Sequence, residues 1–182
     1  MLSPAEFVPF YAQLGVKKCA APLVKLFLAA VLAGFFIASG AVAASTASYG
    51  LANASVARVV SGLLFPFGLI MVILTGAELF TGNCMITISL LEKQAGLAGM
   101  VRNLAVVYGG NFVGAALLAA AVAYGGAFSN TDLAVYALRT AANKCALPFG
   151  RAVVLGILCN VLVCAGGVGA AVDKGELDGE RA

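Results

Sequence analysis

Val59 to Leu91 reads VVSGLLFPFGLIMVILTGAELFTGNCMITISLL, 33 residues holding one charge, Glu78. As one straight helix it would extend on the order of 50 Å, against a hydrocarbon core of about 30 Å. Tilting does not easily absorb that excess. Within the run, Thr75-Gly76-Ala77-Glu78-Leu79-Phe80-Thr81-Gly82-Asn83 replaces apolar side chains with two glycines and several polar groups. The reading is a helix broken near residues 79–83. Irregular backbone at membrane depth is tolerated only where it is buried in protein or lines a water-filled cavity. A helical hairpin turning at Thr81-Gly82-Asn83 is the simpler alternative, but the arm from Cys84 to Leu91 is too short to span back.

The rest of the chain has the same character. Of 182 residues, 62% are hydrophobic and 10% charged, with a mean hydropathy of +1.03. Soluble domains average about 45–50% apolar and about 25% charged. The 22 glycines suit close helix–helix contacts in a bilayer. With no histidine in the sequence, His-ligated zinc or haem, His general bases and Ser-His-Asp hydrolysis are all excluded. A net charge of +3 on so apolar a chain gives no reason to expect a nucleic-acid partner. Cys19, Cys84, Cys145, Cys159 and Cys164 show no C-x-x-C spacing and read as small packing residues. A thiol-redox pair of Cys159 and Cys164 is disfavoured because residues five apart do not share a helix face well. No metal or cofactor is expected.

Four spans follow: about 23–44, 59–91 with its break, 104–124, and 152–169. Residues 1–22 precede them as an interfacial segment, with Phe7, Phe10 and Tyr11 as anchors and no basic n-region of a signal peptide. The transmembrane domain covers 23–172, and 173–182 form a charged tail. With the N-terminus in the cytoplasm, Lys17, Lys18, Lys25, Lys93, Arg102, Lys174 and Arg181 face inward. Arg58, Arg139, Lys144 and Arg151 face outward, and the excess favours this orientation.

Glu78 is the most costly side chain at membrane depth, and it reads as a brace for the broken segment rather than a proton carrier. Thr81 and Asn83 offer a hydroxyl and an amide to a permeating ion, or cap the second half-helix. Asn160, in LGILCNVLVC, either bridges helices or lines a pore. Lys144 is either a solvated loop lysine or a cation that concentrates anions at a pore mouth. Phe65, Leu69 and Phe80 pack around the break or gate by dewetting. Discontinuous helices are where many transporters build a substrate site.

Four stretches together resemble the formate/nitrite transporter family: GVKKCAAPLVKLFLAAVLAGFFIASG, GLLFPFGLIMVILTGAELFTGNCMI, NLAVVYGGNFVGAALLAA and KCALPFGRAVVLGILCNVLVC. The resemblance covers about Gly15 to Cys164. It implies an aquaporin-like helical bundle, a homopentamer in the bilayer, and a pore in each protomer for small monovalent anions such as formate, nitrite or hydrosulfide. It implies a prokaryotic inner or plasma membrane, and no enzyme activity. By resemblance, Thr81 and Asn160 mark the pore centre. Leu69, Leu79, Phe80 and Val163 fall on the inner constriction and Phe65 on the outer one. Lys144 draws anions inward, while Glu78 and Asn83 brace the loop. The family has six spans, the fifth broken around a histidine in a G-F-E-H-like motif, and four are expected here. After Cys164 the sequence AGGVGAAVDKGELDGERA loses the helical apolar pattern, which reads as a truncated or frameshifted gene. The expectation is then a pore lacking one wall, silent on its own. A non-transporting helical membrane subunit is the alternative.

Overall fold

The computed structural model describes residues 4–179, and every regular element among them is an α-helix. These are α1 (Pro4–Cys19), α2 (Leu23–Ser48), α3 (Ala54–Leu64), α4 (Pro66–Thr75), α5 (Phe80–Asn83), α6 (Ile86–Leu91), α7 (Leu97–Tyr124), α8 (Thr131–Cys145) and α9 (Phe149–Gly179). Four segments are long and apolar enough to cross a membrane: Leu23–Ser48, Ala54–Thr75, Leu97–Tyr124 and Phe149–Gly169. The chain is an all-α membrane protein with a discontinuous second crossing.

The second crossing starts at Ala54, where the Asn53 side chain accepts from the Ser55 and Val56 amides. Pro66 divides it without ending it. Phe65 keeps right-handed helical angles, and proline at the first position of α4 has no amide to leave unpaired. The helix stops at Gly76, whose φ of +66° is left-handed. The Ala77 amide reaches back to the Val72 carbonyl at 3.0 Å and that of Gly76 to Ile73 at 3.3 Å, a Schellman closure. Ala77 to Leu79 are non-helical, and α5 begins at Phe80.

The interruption therefore lies at residues 76–79, a turn ahead of the expected 79–83, and Phe80–Asn83 are helical. The physical reason is which glycine takes the left-handed angle. Gly76 does, whereas Gly82 stays inside a helical turn.

The bundle is organised on α2, which packs along α7 on one side and along α3 and α4 on another. Leu26, Ala30 and Val107 form the buried centre of the α2–α7 contact. Small residues set that spacing. A Cβ at Gly114 would land on the Val31 carbonyl oxygen, so only glycine lets the two backbones come so close. α9 stands apart, touching the rest chiefly through α5. Val154, Ile157, Leu158, Val161 and Leu162 are exposed along it, a face suited to hydrocarbon.

Three expectations change. α1 is a helix, but Tyr11 is only 6% exposed and is not a lipid anchor. Its hydroxyl donates to the Gly167 carbonyl of α9 at 3.2 Å, and Ser89 of α6 donates to the Ala12 carbonyl at 2.8 Å. The third connection holds an amphipathic helix, α8, capped by Asn130, with Asp132 in its first turn and Lys144 in its last. α9 does not fade near Gly169 but runs helical to Gly179, including residues 173–179 of the expected charged tail. Residues 180–182 of that tail lie outside the described residues.

Candidate functional site at the helix break

A broken helix leaves peptide groups without ladder partners, and each such group in hydrocarbon costs several kcal/mol. Here other helices supply the partners. The Glu78 amide donates to the Ala29 carbonyl of α2 at 3.2 Å. Asn111 of α7 serves both sides of the break. Its Oδ1 accepts from the Phe80 amide at 2.9 Å, while its Nδ2 donates to the carbonyls of Glu78 at 2.9 Å and Ala30 at 2.8 Å.

The Glu78 side chain is also held. Lys18, from the last turn of α1, places Nζ 2.6 Å from Glu78 Oε2 and donates to Asn83 Oδ1 at 2.9 Å. Asn83 Nδ2 donates to Glu78 Oε2 at 2.7 Å and to Asn103 Oδ1 at 2.8 Å. Asn103 Nδ2 closes the circuit on the Lys18 carbonyl at 2.9 Å. Pairing of a carboxylate with an ammonium plus amide donors is what membrane depth demands of such a group.

One polar atom stands out from this network. Thr81 Oγ1 is buried and has no hydrogen-bond partner among the described residues. A buried hydroxyl without a partner is destabilising by about 1–3 kcal/mol. Cys164 Sγ donates to the Thr81 carbonyl at 3.5 Å and lies 3.9 Å from Asn160 Oδ1. Thr81 and Asn160 thus border the same thiol.

A cleft of about 770 Å³ opens between α1, α2, α4 and the break. Leu69, Leu79 and Val163 line it with Glu78 and Asn83, as do Lys17, Lys18 and Lys25. Three ammonium groups against one carboxylate give it a positive field that favours anions. Phe80 is not in its lining but packs on Leu26, Ala30 and Val107, its ring edge-on to Tyr108 at 5.6 Å. Phe65 is 46% exposed and outside the cleft. Lys144 is exposed on α8, which packs on α2. Asn160 lines a shallower, more open cleft between the α5–α6 junction, α6 and α9, with Cys84, Met85 and Cys164.

Sequence reasoning did not single out Lys18, Asn103 or Asn111. The signal was available for the two amides, since Asn103 and Asn111 interrupt an apolar span as Asn160 does. Lys18 carried no signal of its own, because a lysine flanking a span is ordinarily solvated. At the same end of the molecule, Arg102 donates to the carbonyls of Cys19 and Ala21 at 3.1 and 3.0 Å. Burial pushes the Cys19 thiol above its usual pKa, and the Arg102 guanidinium opposes that shift by a smaller amount.

Comparison with known proteins places the chain in a family. Residues 5–177 match the model of the formate/nitrite transporter family. The formate channel FocA of Escherichia coli is 33% identical over 168 residues, covering 90% of this chain and 59% of its own length. FocA of Haemophilus influenzae is 32% identical over 167 residues, with the same coverage of 90% and 59%. A probable formate transporter of Methanothermobacter thermautotrophicus is 37% identical over 122 residues, 64% of this chain and 44% of that protein. A solved FNT family ion channel superposes with a TM-score of 0.64 at 25% identity, covering 67% of this chain and 50% of its own. The chain thus spans less than two thirds of the relatives it matches. By sequence and by fold, it belongs to the formate/nitrite transporter family.

Proposed function

We propose that these helices border a path for small monovalent anions, formate or nitrite or hydrosulfide, across a prokaryotic inner or plasma membrane. The observation that carries this reading is the Thr81 hydroxyl, buried and without a hydrogen-bond partner among the described residues. A passing oxyanion accepts the hydrogen bond that the protein leaves unmade, as channel centres require when they replace hydration by fixed donors. Asn160 supplies an amide donor across Cys164. Leu69, Leu79 and Val163 exclude water to either side, and Phe65 and Phe80 join them by resemblance alone. Lys144 gathers anions at the outer mouth, and the lysine-lined cleft does so on the other side. Glu78 and Asn83 hold the backbone around the hydroxyl. The N-terminus is cytoplasmic by the excess of basic residues on that side, and the working unit is a homopentamer by resemblance to the family.

The test is flux of radiolabelled formate into proteoliposomes carrying the protein. Saturable uptake that falls about tenfold in Thr81→Val, which keeps the shape and removes the hydroxyl, supports the reading. Uptake no greater than in protein-free vesicles overturns it in favour of the silent pore, lacking one wall, expected from the sequence. Unchanged uptake in Thr81→Val overturns the role of the hydroxyl. Nitrite and hydrosulfide added as competitors in the same assay rank the anions.

A further inference from the structure

We propose that Cys84, Met85 and Cys164 form a binding site for a soft, low-coordinate metal cation of the copper(I) and silver(I) class. The two thiols hydrogen-bond to neighbouring carbonyls on one helical turn. Cys84 Sγ donates to Phe80 O at 3.4 Å and Cys164 Sγ to Thr81 O at 3.5 Å, so sulfurs from two different elements converge on α5. Both cysteines also line the open cleft between the α5–α6 junction, α6 and α9. Met85, next in the chain after Cys84, lines the same cleft. Its terminal methyl lies against Gly167, 3.2 Å from where a Cβ there would sit. Gly167 is three residues beyond Cys164, on the same face of α9.

The donor set decides the class of metal. Two thiols and a thioether suit copper(I) and silver(I), which accept two or three soft ligands. Zinc takes four ligands, typically thiolates, imidazoles or carboxylates. The sequence has no histidine, and no carboxylate lines this cleft. Binding is balanced in protons and charge. One monovalent cation displaces two thiol protons and forms two metal–sulfur bonds, with the Met85 thioether as a neutral third donor. The complex ties α9 to the turn that carries Thr81.

The experiment uses the reduced, purified chain in detergent with silver nitrate in chloride-free buffer as the probe. Maleimide alkylation is followed by mass spectrometry at each cysteine, with and without one equivalent of silver. Since a metal-bound thiolate is withdrawn from alkylation, Cys84 and Cys164 are expected to slow at least about tenfold together, while Cys19, Cys145 and Cys159 keep their rates. A chelating dithiol restores both. In Cys164→Ala, the protection of Cys84 is expected to be lost. Equal protection of all five thiols, or of neither Cys84 nor Cys164, overturns the site. Undiminished protection of Cys84 in Cys164→Ala does the same. Where that variant does not fold, the wild-type protection pattern decides alone.

Discussion

Lys18 Nζ and Glu78 Oε2 lie 2.6 Å apart although 60 positions apart in sequence, and neither side chain is more than 23% exposed. The pair fastens α1 to the helix break. Removing one partner leaves the other charge uncompensated, which costs more than removing both. Lys18→Met is expected to destabilise by the lower end of about 3–5 kcal/mol, given the residual exposure. Lys18→Met/Glu78→Gln should recover most of that loss. Thermal unfolding of these two variants and of Glu78→Gln in detergent checks it, and additive losses would contradict it.

Asn111 accepts from Phe80 and donates to Glu78 at the break, and donates a second hydrogen bond to Ala30 of α2. Asn111→Leu strands the Phe80 amide, at about 1–3 kcal/mol for the unpaired group. Asn111→Asp keeps the acceptor and loses the donors, so it should retain α5 while adding a charge near Glu78. Amide hydrogen exchange at residues 79–83 separates the cases: fast exchange in Asn111→Leu is expected, and protection equal to wild type would count against the clamp.

Gly76 sits at φ +66° with nothing within 4 Å of a prospective Cβ. The cost of Gly76→Ala is then backbone strain alone, about 1–2 kcal/mol. Gly114→Ala fails for the other reason, because its Cβ meets the Val31 carbonyl. Gly76→Asn should fall between wild type and Gly76→Ala, since asparagine tolerates the left-handed region. No such rescue is expected for Gly114→Asn. Melting temperatures of the four variants make the comparison.

These positions also show what the sequence could reveal. The four spans and the need for a break were legible, because chain length against bilayer thickness is arithmetic that one sequence supports. The site of the break was not. Gly76 and Gly82 look alike in sequence, and the choice between them depends on Asn111 and Ala29 receiving the freed amides. Thr81 and Asn160 stood out as polar groups in apolar runs and were assigned to a pore centre by resemblance alone; in the structure both lie beside Cys164. Their partner network was hidden because Lys18 and Asn103 reach the break only through tertiary packing.

Lys144 lies in the last turn of α8, beyond the end of α2 opposite to Lys18. With a cytoplasmic N-terminus, Lys144→Cys in a background freed of the other cysteines should react with a membrane-impermeant maleimide from outside intact cells. Labelling only after the cells are opened would reverse the orientation.

Cys19 offers a test by pH. Its raised pKa leaves less thiolate at neutral pH, so alkylation should be slower than for a cysteine in a peptide and rise to a midpoint above the ordinary thiol value. Arg102→Gln removes the opposing guanidinium, and the midpoint should move further up. A midpoint at the ordinary value, or a downward move in Arg102→Gln, would contradict this environment.

The clamp by Asn111 has a consequence for how the chain is made. Phe80 leaves the ribosome 31 residues before Asn111 does. During that interval the peptide groups of the break have no partner from α7, and lipid would reject them. The first two crossings therefore cannot be released into the bilayer as a finished pair. They must wait, beside water or the insertion machinery, until the third crossing arrives to complete them.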